Sequence, residues 1–191
     1  GLGVSVARSR DLLDWTALPP ALPRLPSWTA SAVPGATDLW APEVIFRDGR
    51  YWMYYSVSTF GKNESAIGLA TATTLDPDSP DHGWTDRGRV IQSTGMDDFN
   101  AIDANVVEDG QGGLWMALGS FWSGIKLVRL DPATGLLDPT DRQIRSIARR
   151  AEAPDAIEGA FILARQGWFY LFVSFDFCCK GRYSTYKLAV G

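Results

Sequence analysis

The segment DANVVEDGQGGLWMALGS, Asp103 to Ser120, carries the plan of the whole chain. A short apolar run, a Gly-containing turn and a second apolar run with a Trp make a β-hairpin. The same grammar recurs in APEVIFRDGRYWMYYSVS from Ala41 and in EGAFILARQGWFYLFVS from Glu158. The hairpin therefore repeats about every 55 to 60 residues. Further strands with Asp, Pro and Gly turns follow or precede it: GVSVARSRDLLDW from Gly3, AIGLATATTLDP from Ala66 with HGWTDRGRVI from His82, GIKLVRLDPATG from Gly124 with RQIRSIA from Arg142, and STYKLAVG from Ser184. Four strands per unit is the pattern of a propeller blade. No helical periodicity persists over three turns, so the chain reads as all-β.

Counting units gives the expected extent. The chain enters in the third strand of one blade, passes through two complete blades at 41–91 and 103–148, and leaves during the third strand of another. Gly1 opens inside a strand-like pattern with no basic and apolar leader before it. Residues 1–191 are expected to be a single partial β-propeller catalytic domain, with N-terminal strands and the last blade lying outside it.

With 191 residues, 46% of them hydrophobic, the chain can bury a substantial core. Its 22 acids against 18 bases, without a basic run, offer no footprint for nucleic acid or an anionic membrane. Eight Trp provide faces on which sugar rings can stack, although core packing accounts for most such residues. The two cysteines, Cys178 and Cys179, are adjacent and lack zinc-site spacing. Two packed thiols are the default reading, with a vicinal disulfide the alternative in an oxidising compartment. WFYLFVSFDF, from Trp168, reads as a buried strand.

Aligning the hairpins on Val44, Val106 and Phe161 places Ala41, Asp103 and Glu158 at one position. Innermost propeller strands run beside the central channel, so Asp103 and Glu158 are expected to face a shared cavity. Paired carboxylates suit glycosidic cleavage, where one group stays protonated to serve the leaving oxygen and another stays ionised. Capping of turns or strand starts is the structural alternative. Glu43, Asp48, Asp97 and Asp98 are offset from this position and read as solvated acids. His82, the single histidine, lies in a polar turn and reads as a solvated loop residue.

LWAPEV, FGKNESAIGLATATTLDP, GWTDRGRVI, DDFNAIDANVV, GSFWSGIKL, AIEGAFI, SFDFCCKG and STYKLAVG together resemble the arabinanases of glycoside hydrolase family 43. The resemblance covers essentially the whole chain. It implies a five-bladed β-propeller, of which this chain covers about the middle three blades, and an inverting hydrolase that cleaves α-1,5-linked L-arabinan internally in plant cell-wall polysaccharide. Glu158 then corresponds to the general acid and Asp103 to the acid that raises and orients it. The family's general base belongs to a motif that precedes Gly1, so this segment alone is expected to lack it.

The resemblance also implies aromatic walls for arabinose at Trp40 and Phe60. Asn100, Asn105 and Ser120 are candidate hydrogen-bonding partners of sugar hydroxyls, with turn and strand-cap roles as the alternative. No cofactor is expected for the chemistry and no metal ligands in this segment. A structural calcium or other ion is expected at the axis of the full-length propeller. The expected partner is a polysaccharide or oligosaccharide substrate acted on by a secreted monomer, with no nucleic acid and no membrane. Two alternatives stand beside this reading: an exo-acting α-L-arabinofuranosidase or β-xylosidase on the same fold, and a non-catalytic carbohydrate-binding propeller.

Overall fold

The computed structural model describes residues 3–191. Its strands form four antiparallel sheets in chain order. The first pairs β1 (Val4–Arg8) with β2 (Thr16–Ala21). The second contains β3 (Leu39–Arg47), β4 (Arg50–Val57), β5 (Ser65–Ala72) and β6 (Thr85–Ser93), each hydrogen-bonded to the next. The third repeats that order with β7 (Asn105–Glu108), β8 (Leu114–Leu118), β9 (Ile125–Leu130) and β10 (Arg145–Ala148). The fourth holds β11 (Ile157–Arg165), β12 (Trp168–Phe175) and β13 (Lys187–Val190). The only helical turns among the described residues are Thr29–Ala32 and Gly181–Tyr183. Two four-stranded sheets between one of two strands and one of three match the strand count read from the repeats.

Local chemistry explains the hairpins. Arg47 pairs with Arg50 across Asp48-Gly49, and Arg165 pairs with Trp168 across Gln166-Gly167. Both loops place two consecutive residues at positive φ, the two-residue turn whose twist matches the flanking strands.

Apolar side chains fill the spaces between successive sheets. Val4, Leu39, Met53, Tyr55 and Val57 join the first sheet to the second. Trp52, Tyr54, Leu69, Val106, Met116 and Leu130 join the second to the third. Ala117, Ile125, Ile157 and Val173 join the third to the fourth. Every residue of β5 is buried, and each large side chain so placed contributes roughly 1.5–3 kcal/mol by leaving water. Gly135 closes against the Trp52 ring, where a Cβ would come within 2.5 Å, and its carbonyl accepts the Tyr54 hydroxyl at 3.0 Å.

Polar links cross between sheets near the strand starts. Glu43 Oε1 accepts from Asn105 Nδ2 at 2.9 Å and from Val106 N at 3.3 Å. Asn105 Oδ1 in turn accepts from Ile162 N at 2.8 Å. Glu43 of β3 and Asn105 of β7 thus each grip the backbone of the first strand in the following sheet.

The reading of β12 as a buried strand is corrected. Trp168 is 70% exposed and Phe169 53% exposed. Only one face of the fourth sheet packs on a neighbour, the cluster around Ile125 and Ala117. Its other face has no sheet against it among the described residues, so sequence that looks like core is left open.

Candidate active site

Strands β3, β7 and β11 all start at the same end of the stacked sheets. Antiparallel pairing returns the loops 58–64, 119–124 and 176–186 to that end. Trp40, Asp103 and Glu158 therefore gather there with residues from all three loops.

The registers correct the equivalence of Asp103 and Glu158. Trp40 pairs with Ser56 and Glu43 with Tyr54, while Glu158 pairs with Ser174 and Phe161 with Phe172. Two residues oppose one in each case, which is a β-bulge. Its left-handed member is Ala41 (φ 40°) in one sheet and Gly159 (φ 61°) in the other. In the sheet between them, Gly119 N bonds to Ile102 O, and Asp103 is the left-handed residue (φ 59°). Asp103 therefore matches Ala41 and Gly159, whereas Glu158 matches Trp40 and Ile102. On a regular strand a one-residue offset would send the two acids to opposite faces. The bulge breaks that alternation.

The two acids are neighbours all the same. Asp103 Oδ2 accepts from the backbone N–H of Gly159 at 3.3 Å, and the Asp103 backbone N–H is fixed by Ser56 Oγ at 3.1 Å. Burial first, and the charge of Glu158 second, push the Asp103 carboxyl up to about 6. Glu158 is held by two hydroxyls: Ser120 Oγ donates to Oε2 at 2.6 Å, and the Tyr186 phenol donates to Oε1. Burial, then hydrogen bonding to Glu158, push the Tyr186 phenol upward, so it remains a donor. Raised in this way, the Asp103 carboxyl keeps its proton into the weakly acidic range. The arrangement can hold and deliver a proton.

The other candidate residues divide. Trp40 is half-buried at the start of β3, and Phe60 is 81% exposed at the tip of the 58–64 loop. Asn105 is buried, with its amide committed at both ends to the inter-sheet links, which corrects its reading as a sugar contact. Asn100 is buried too, and its Oδ1 has no hydrogen-bond partner among the described residues. Ser120 is buried and spends its hydroxyl on Glu158. Glu43 is a partly buried linking acid, not a solvated one, and burial raises its pKa. Asp97 caps its own loop by accepting from Thr94 N and Oγ1 at 2.8 and 2.7 Å, while Asp98 and His82 are exposed. Cys178 and Cys179 are bonded to each other as a vicinal disulfide, in place of the default thiols.

Two features of this end escape sequence reading. Tyr186 lies 28 residues beyond Glu158 and is brought back only by the 176–186 loop. Phe121 and Trp122 both adopt positive φ, with Phe121 N tied to Ile157 O at 2.8 Å and Trp122 left 42% exposed. Nothing local in STYK or SFWS marks either role.

An ion at the axis finds little to bind here. Among the described residues no group of three or more His, Cys, Asp or Glu side chains gathers that could hold one. Two carboxylates already satisfied by hydroxyl and amide donors do not suit a cation by themselves, and no chemical step is assigned to one.

Comparison with known proteins places this geometry. The family model described as glycosyl hydrolases family 43 matches residues 1–190. The chain is 44% identical over 190 residues to the extracellular endo-α-(1→5)-L-arabinanase 1 of Bacillus subtilis (strain 168), covering 99% of this chain and 57% of that protein. It is 39% identical over 201 residues to the extracellular exo-α-(1→5)-L-arabinofuranosidase ArbA of Cellvibrio japonicus (strain Ueda107), covering 100% of this chain and 58% of that protein. Among solved structures, an exo-1,5-α-L-arabinanase from a bovine ruminal metagenomic library superposes with a TM-score of 0.92 at 45% identity, covering 100% of this chain and 64% of the other. Structural neighbours of this kind are five-bladed β-propellers. The chain spans less than two thirds of the length of these relatives.

Proposed function

Since the chain belongs to glycosyl hydrolases family 43, we propose that the full-length protein carrying it is a secreted inverting hydrolase that cuts α-1,5-linked L-arabinan within the polymer. Glu158 protonates the departing glycosidic oxygen. Asp103 supplies the neighbouring charge that keeps this proton in place and orients the acid. A carboxylate outside this chain activates the water on the opposite side of the sugar. Residues 1–191 act as part of a single catalytic propeller. Trp40 and Phe60 provide apolar surface for the C–H faces of arabinose.

The observation that carries this reading is the approach of two acids from different blades, with Asp103 Oδ2 accepting from the backbone N–H of Gly159, the residue next to Glu158. The names of the relatives support arabinan as the substrate and an extracellular location.

The test is Glu158→Gln in the full-length protein. Loss of the proton donor should cost about 10²- to 10⁴-fold on arabinan. It should cost far less on an aryl arabinoside, whose leaving group departs without protonation. Equal losses on both substrates would remove Glu158 from the role.

Exo action is a second reading, because two of the relatives described above are named as exo-acting. Debranched arabinan separates the two: release of oligomers supports internal cleavage, and release of monomer alone supports the exo reading.

A further inference from the structure

We propose that Tyr186 is a positioning residue for Glu158: its phenol holds one carboxyl oxygen and tunes the pH at which the proton leaves. The proposal rests on Glu158 being the proton donor.

The geometry gives each oxygen of Glu158 its own partner. Oε2 receives the Ser120 hydroxyl from the 119–124 loop, and Oε1 receives the Tyr186 hydroxyl from the far end of the 176–186 loop. With both oxygens gripped from different loops, the plane of the carboxyl is fixed. Ser174 on β12 pairs directly with Glu158 across the sheet. Asp103, from the segment before β7, completes the surroundings. Asp103 and Tyr186 are titratable groups that face Glu158.

These two neighbours act in opposite directions. A negative charge on Asp103 favours the protonated form of Glu158, whereas a donated O–H favours the ionised form. Ser120 could rotate its hydroxyl to accept a proton placed on Oε2. A phenol is a weaker acceptor because its lone pair is shared with the ring, so Tyr186 remains a donor to Oε1. The charges of Glu158 and Asp103 both oppose ionisation of that phenol, which keeps its proton in place throughout the working range. Tyr186 thereby acts on Oε1 against the influence of Asp103.

The test uses Tyr186→Phe in the full-length protein, which removes the hydroxyl and keeps the ring. Glu158 is followed by ¹³C NMR titration of its side-chain carboxyl, alongside the pH profile of kcat/KM on arabinan. Loss of one charge-assisted hydrogen bond to the ionised carboxyl should move this titration to higher pH. The basic limb of the profile should move upward by the same amount, with kcat falling more than KM changes. A folded Tyr186→Phe protein whose titration and basic limb both stay in place overturns the proposal. A shifted titration with an unmoved limb supports control by Tyr186 and overturns Glu158 as the donor. If Tyr186→Phe does not fold, 3,5-difluorotyrosine at position 186, with a more strongly donating O–H, should lower the apparent pKa of Glu158; an unchanged titration there also overturns the proposal.

Discussion

Asp103→Asn should make the full-length protein more stable at neutral pH while impairing the reaction. The Asp103 carboxyl is lifted from its ordinary 3.8 to about 6, mainly by burial and then by the charge of Glu158. Two units correspond to about 3 kcal/mol, of which screening by the water that still reaches the side chain leaves about 2 kcal/mol. Because the folded state binds this proton more tightly than the unfolded chain does, the associated stability is fully present below the unfolded pKa near 3.8. It is lost as pH rises through about 6. Asn carries no such titration, and its Oδ1 can still accept from Gly159 N. The stability difference between the two proteins should be close to zero at pH 4 and reach about 2 kcal/mol in favour of Asn at pH 7. Urea unfolding at four pH values between these limits measures it directly. A difference that does not vary with pH, or a variant less stable at pH 7, would refute the reasoning.

Asn105→Ala removes the bridge between Glu43 and Ile162 N. It leaves the Ile162 N–H without its acceptor and Glu43 Oε1 with Val106 N alone, so denaturant unfolding should show a loss of about 1–3 kcal/mol; a loss below about 0.5 kcal/mol would mean that water replaces the bridge. Phe60→Ala, at an 81% exposed loop tip, should change stability by no more than about 0.5 kcal/mol. It should raise KM for arabino-oligosaccharides several-fold with little effect on kcat, and an unaltered KM would separate Phe60 from the substrate.

The blade plan is legible in the sequence because apolar alternation and the Asp48-Gly49 and Gln166-Gly167 turns both encode hairpins. The site is legible only in outline. Asp103 and Glu158 stand out as acids at strand starts, but alignment on apolar residues puts them one place out of register. No residue type announces that two residues oppose one at the bulge, and Gly159 marks it only once its positive φ is known. Asn105 looks like a free amide ahead of a strand, since its two partners lie 62 and 57 residues away. Tyr186 is hidden for the same reason: its relation to Glu158 exists only after the loop has returned. The β12 strand shows the opposite limitation, because apolar residues declare a preference for burial without naming the surface that would cover them.

The repeated bulge also bears on how such a ring diversifies. Each blade provides the same backbone niche, occupied here by Ala41, Asp103 and Gly159. A tandem array of copies is symmetric, whereas acid catalysis requires unlike groups in unlike surroundings. When the niche itself is invariant, symmetry is broken by exchanging one side chain, with no change in chain path. An acid introduced at position 41, where alanine already tolerates the left-handed backbone, would bring a new charge to the neighbouring blade's rim without remodelling a strand. The fold thus keeps spare addresses for chemistry beside the one that Asp103 fills.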